Sequence, residues 1–97
     1  MKKIPAKKSE SKTKKVEFKI FDPKAQRVAL AGDFNDWNVN ALPMKKDSEG
    51  TWGVRVALSL GRHEYRFWAD GVWYDDPTAY EKVENPFGSR NCVKIVI

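Results

Sequence analysis

Two tryptophans, Trp37 and Trp73, stand among polar turn residues rather than in the middle of a strand-like apolar run. Trp37 closes Gly32-Asp33-Phe34-Asn35-Asp36-Trp37-Asn38, and Trp73 follows the turn dipeptide Asp70-Gly71 by two residues. Loops run over the surface and carry binding groups, so a large flat ring in such a place is expected to recognise something. A second group of hydrogen-bonding and aromatic residues precedes the C-terminus: Asn85-Pro86-Phe87-Gly88-Ser89-Arg90-Asn91. Flat rings can stack on the C–H faces of a sugar, while amide, hydroxyl and cationic donors meet its hydroxyls and set orientation. The same residues could instead form a small satellite core beneath a long loop.

Catalytic constellations are not expected. His63 is the single histidine, has no cysteine at metal-ligand spacing, and is expected at a surface or strand edge. Asp75 and Asp76 are adjacent, and neighbours in a strand point to opposite faces, so they make a poor acid and base pair. A solvated turn before Pro77 is the expectation there. Neither a glycine-rich phosphate loop nor a triad is recognisable. The chain is therefore expected to be a non-enzyme without cofactor or metal.

Charge is unevenly spread along the 97 residues. Residues 1–15 hold seven lysines and one glutamate, a net of +6, whereas residues 16–97 hold 11 basic and 12 acidic residues, a net of −1. Lys alternates with Ser, Ala, Thr and Pro in the first stretch, so residues 1–15 are expected to be a disordered tail that solubilises or weakly tethers. Nucleic-acid binding through it ranks last, because the aromatics are not interleaved with a basic stripe. No apolar core follows the lysines as in a secretory signal, no run is long enough to span a bilayer, and Cys92 is the single cysteine. A cytoplasmic protein with a buried thiol fits these features.

The elements that must carry the rings read as strands. From Val16 onward apolar residues recur with period two, which marks strands with one buried face. Val16, Phe18 and Ile20 alternate with Glu17 and Lys19; Val28 and Leu30 follow the turn at Asp22-Pro23. Trp52, Val54, Val56 and Leu58 form the clearest strand, so Trp52 is assigned to the core with Tyr65 and Phe67. Glu64, Arg66 and Trp68 share the other face of the next strand, and Asp70-Gly71 signals a hairpin. Val93, Ile95 and Ile97 alternate with Cys92, Lys94 and Val96 at the end. Without a convincing helical period, residues 16–97 are expected to form one all-β antiparallel sandwich of about seven strands, immunoglobulin-like in arrangement.

Five motifs in order, Ala31 through Asn38, Gly50-Thr51-Trp52, Gly61 through Phe67, Asp70-Gly71-Val72-Trp73 with Asp76-Pro77, and Asn85 through Asn91, resemble the family 48 carbohydrate-binding modules. That family includes the glycogen-binding domain of the AMP-activated protein kinase β subunit and the N-terminal domains of branching and debranching enzymes. The resemblance implies an early-set immunoglobulin-like sandwich that binds α-1,4-linked glucan such as glycogen or starch. It implies Trp37, Arg66, Trp73, Phe87, Ser89 and Asn91 as the carbohydrate-binding residues, with Arg66 where the pattern has lysine and Phe87 where it has leucine. Trp68, on the Arg66 face, is a candidate extension of the platform or a packing residue. Asp33, Phe34 and Asn35 are expected to hold the first loop rather than touch ligand. A separate glucan-active enzyme or regulatory protein is the implied partner, and docking to such a partner is the alternative role for the exposed rings.

Overall fold

The structure, a computed structural model, describes residues 12–97, and every regular element among them is a β-strand. The strands are β1 (Thr13–Phe21), β2 (Val28–Gly32), β3 (Lys45–Lys46), β4 (Thr51–Ser59), β5 (Gly61–Ala69), β6 (Val72–Tyr74), β7 (Glu81–Glu84) and β8 (Arg90–Val96). They form two antiparallel sheets, β1-β4-β3 and β2-β5-β8-β7, with β6 paired to β5 beyond the end of β8. The architecture is the immunoglobulin-like sandwich that the alternation implies, with eight strands where about seven are expected. The alternation marks neither the two-residue β3 nor the four-residue β7, both too short to leave a clear periodic signal.

Register places the alternating faces. In the first sheet Val16, Phe18 and Ile20 lie opposite Val56, Val54 and Trp52, so all six side chains point to the interior. In the second, Leu30 lies opposite Phe67 and Tyr65 opposite Cys92. These residues meet Met44, Leu58 and Val96 in one core, where Phe18 and Tyr65 pack edge to face at 4.8 Å. Trp52 is buried as expected, with its indole N–H donating to the Asp22 carbonyl at 2.8 Å. In β8 Asn91, Cys92, Val93 and Val96 are all buried, while Ile95, and Ile97 just after the strand, face solvent. Lys94 shares the inner face but reaches across it, with its ammonium 5.6 Å from the Phe18 ring.

Two expectations shift. β1 begins at Thr13, with Thr13, Lys14 and Lys15 pairing with Ser59, Leu58 and Ala57, so the folded unit takes in three residues assigned to the tail. Hydrogen bonding to β4 holds them despite their low hydrophobicity. The disorder expected for residues 1–11 lies outside the described residues. The second shift concerns Asp76, which is 4% exposed rather than solvated. Its carboxylate accepts from the Tyr65 hydroxyl at 2.6 Å and from the Thr78 backbone N–H and hydroxyl at 2.8 and 2.7 Å. Burial, with the Asp76 carboxylate second, pushes the Tyr65 phenol far above its usual range.

Candidate functional site

The candidate residues converge on the outer face of the five-stranded sheet. Arg66 and Trp68 alternate outward along β5, because Tyr65 and Phe67 occupy the inner face. Trp73 lies directly opposite Trp68 in β6, so the two indoles share that outer face. Trp73 is thus a strand residue rather than a turn residue, although β6 is only three residues long and follows the turn at Gly71. Asn91 projects on the same side from β8.

Trp37 arrives from the loop after β2. Asn35 is the centre of that loop: its side-chain oxygen accepts from Gly32 N at 3.0 Å, and its amide donates to the Leu30 carbonyl at 3.2 Å. The Gly32 carbonyl then accepts from both Asn35 N and Trp37 N. Phe34 is half-buried against the core, as an anchor should be, and Asp33 accepts from Glu64 N at 2.9 Å. Asp36 and Trp37 both lie in the left-handed region, at φ 57° and 58°. Each such non-glycine residue costs roughly 1–2 kcal/mol, so the surrounding bonds hold the Trp37 ring outward against local strain. Its ring meets Trp73 edge to face, with centroids 6.4 Å apart and planes at 68°.

The opposite wall is the segment between β7 and β8, organised by Asn85. Its side-chain oxygen accepts from Phe87 N at 2.9 Å and Ser89 N at 3.3 Å, while its amide donates to Ser89 Oγ and Asn91 Oδ1, both at 3.0 Å. Gly88, at φ 84°, completes the turn in a conformation that a side chain would strain. Phe87 is thereby left 90% exposed at the rim. Arg66 forms the floor: one terminal nitrogen donates to Ser89 Oγ at 3.1 Å and the other to Asp75 at 3.0 Å. Its Nε is buried without a partner. The guanidinium therefore supports the wall, and one hydrogen on each terminal nitrogen is left over.

Asn91 is held on both sides, accepting from Asn85 and donating to Glu64 Oε1 at 3.0 Å. Those contacts hold the Glu64 carboxyl below its ordinary value, the Asn91 bond first and the Arg62 guanidinium second.

Together these side chains line an open groove of about 480 Å³, bounded by Trp37, Trp73, Arg66, Phe87, Ser89 and Asn91. All six residues that the resemblance implies lie on it. Asn85 and Pro86 complete the lining. The sequence does place Asn85 and Pro86 in the right segment; their site role follows from the Asn-Pro turn geometry, which period-two reading does not capture. Trp68 does not line the groove; the Arg27 guanidinium stacks over its ring at 5.0 Å. His63 is far from an exposed edge position: its ring is largely buried, close to Asp33 and the Ser59 carbonyl. Among the described residues no cluster of three or more His, Cys, Asp or Glu is arranged to hold a metal ion.

Comparison with known proteins gives a consistent family. A 1,4-alpha-glucan branching enzyme of Lactobacillus acidophilus is 36% identical over 83 residues, covering 80% of this chain and 13% of the relative. A chloroplastic/amyloplastic 1,4-alpha-glucan-branching enzyme of Pisum sativum is 34% identical over 76 residues, covering 69% of this chain and 9% of the relative. The chloroplastic protein FLOURY ENDOSPERM 6 of Oryza sativa is 34% identical over 58 residues, covering 60% of this chain and 11% of the relative. The chain therefore spans only a small fraction of the length of these relatives. Residues 5–84 match the family described as carbohydrate-binding module 48 (isoamylase N-terminal domain), a match that ends just before the Asn85 turn. On that match, and on the sandwich that carries it, this chain belongs to the carbohydrate-binding module 48 family.

Proposed function

We propose that this chain is a non-catalytic module that binds α-1,4-linked glucan in the groove between the Trp37–Trp73 pair and the Asn85–Asn91 turn. The observation that carries this reading is the edge contact of two indoles at 68° along one wall of an open groove whose other wall offers Asn85, Ser89 and Asn91 beside the Phe87 ring. Glucose units present apolar C–H faces and equatorial hydroxyls, and a curved α-1,4 chain offers successive faces at an angle. Trp73 and Trp37 supply stacking surfaces, Phe87 a third at the rim, and Arg66 and Ser89 supply donors and acceptors at the floor. Family membership and the branching-enzyme relatives support the ligand class.

An open surface groove makes few contacts, so affinity for one short chain is expected to be weak and polymer binding to gain from many equivalent sites. Isothermal titration with maltoheptaose and β-cyclodextrin tests the proposal. Binding is expected, and Trp37→Ala and Trp73→Ala should each weaken it about tenfold or more, a loss of ~1.4 kcal/mol per decade, with the thermal midpoint little changed. Absence of binding at millimolar ligand by the folded wild type sinks the idea. Docking to a glucan-active enzyme is the second reading, favoured by the exposure of Phe87 and Trp73. Loss of a co-purifying partner on Trp73→Ala with glucan retention intact would support that reading instead.

A further inference from the structure

Trp68 and Arg27 lie outside the groove, yet they belong to a closed circuit of contacts that returns to it. Arg27 stacks over the Trp68 ring at 5.0 Å and donates to Asn40 Oδ1 at 2.7 Å. Asn40 N in turn donates to Asn38 Oδ1 at 2.8 Å, and Asn38 follows Trp37 in the chain. Trp37 meets the edge of Trp73, and Trp73 lies opposite Trp68 across β5 and β6. The backbone of Arg27 is itself fixed: its N–H donates to the Asp70 carboxylate at 2.9 Å, and its carbonyl accepts from Asp70 N at 3.0 Å.

The Asn35 bonds secure the start of the Trp37 loop; its return is held by backbone bonds from Asn38 N to the Asn35 carbonyl and from Leu30 N to the Leu42 carbonyl, and the Arg27–Asn40 bond adds a side-chain tie there. Between those two anchors lie Asp36 and Trp37, both in the left-handed region. Without that tie the segment after the strained pair rests on backbone bonds and the local Asn38 contact, and the indole gains freedom to turn. We infer that Arg27, seated on Trp68, is a positioning residue that sets the angle between the Trp37 and Trp73 rings and so the shape of the groove. Its relevance to affinity rests on the glucan reading, but its effect on the rings does not.

Two indoles in edge contact couple their strong ultraviolet transitions, so the pair is expected to give a circular-dichroism couplet, isolated as the difference between wild type and Trp37→Phe. In Arg27→Ala and in Asn40→Ala the couplet should largely disappear and maltoheptaose affinity fall about fivefold to tenfold. Both side chains are exposed, so the urea midpoint should move little. Asn40→Asp keeps an acceptor for the guanidinium and should retain both couplet and affinity. The Arg27→Ala/Asn40→Ala double variant should be no worse than Arg27→Ala alone, because the two act through one bond. An unchanged couplet in Arg27→Ala, unchanged affinity in that variant, or additive losses in the double variant would overturn the inference. A wild type with the couplet but no glucan binding would overturn the glucan reading and leave the positioning role judged by the couplet alone.

Discussion

Phe87 stands almost free of protein contact, so its replacement bears on ligand rather than on folding. Phe87→Ala is expected to weaken maltoheptaose binding roughly two- to tenfold, ~0.5–1.5 kcal/mol, with an unchanged melting temperature. Leucine at this position has an aliphatic tip that can enter a ring of glucose units. Phe87→Leu should therefore shift preference toward β-cyclodextrin, measured as the ratio of the two affinities by titration. Glu64 gives a pH prediction. Its pKa is lowered in the folded chain by the Asn91 amide and by Arg62. The stabilisation is therefore fully present above the ordinary value of 4.5 and is lost as pH falls through the lowered folded value. The Glu64 carboxyl resonance should titrate below 4.5, and the Asn91 side-chain amide should move with it in the same NMR series. Glu64→Gln should abolish the Asn91 response.

At the scale of elements, the loop after β2 depends on a close approach that only glycine permits. A Cβ on Gly32 would lie 2.5 Å from the Glu64 carbonyl oxygen and 2.6 Å from the Phe34 ring. The carbonyl belongs to the β5 backbone and cannot swing aside. Gly32→Ala is therefore expected to cost about 1–3 kcal/mol in urea unfolding, and to displace Trp37, whose N–H donates to the Gly32 carbonyl. The turn between β7 and β8 is built differently, with one asparagine satisfying the backbone of Phe87 and Ser89 while orienting Asn91. Both loops use an Asn side chain as a template, which leaves their aromatic residues, Trp37 and Phe87, pointing outward. Strand β5 joins the two constructions, since it pairs with β2 along one edge and with β8 and β6 along the other.

The whole molecule separates the core that stores stability from the surface proposed to bind glucan. The aromatic core lies between the sheets, whereas the groove uses the outer face of the five-stranded sheet and two loops at its margin. Among the described residues, none that lines the groove comes from β1. Residues 1–11 are rich in lysine and poor in apolar side chains, so their deletion is expected to leave glucan affinity and melting temperature unchanged. Deletion through Lys15 should behave otherwise, because it removes three residues paired with β4. A lower melting temperature with intact affinity in the folded fraction is expected, checked by calorimetry and titration on the two truncations.

How much of this was readable beforehand follows from the range of the forces involved. Side chains in a strand alternate by backbone geometry alone, so Trp52, Tyr65 and Phe67 could be assigned to the interior and Arg66 and Trp68 to the outer face from spacing. The loop roles of Asn35 and Phe34 were readable for a similar reason, since their partners lie within a few residues or in the core they must enter. Asp76 was not: the Tyr65 hydroxyl that makes its burial tolerable is 11 positions away and arrives only when β5 packs beside the segment after β6. The same holds for the Arg66 fork, divided between Asp75 and Ser89, and for Trp68, removed from the groove by an Arg27 that the sequence leaves 41 positions upstream. By itself the sequence determined which faces are apolar and which residues could stack on a sugar. Tertiary structure alone decided which polar groups find partners, because a hydrogen bond or a stacked guanidinium depends on ångström distances between elements that local alternation does not encode.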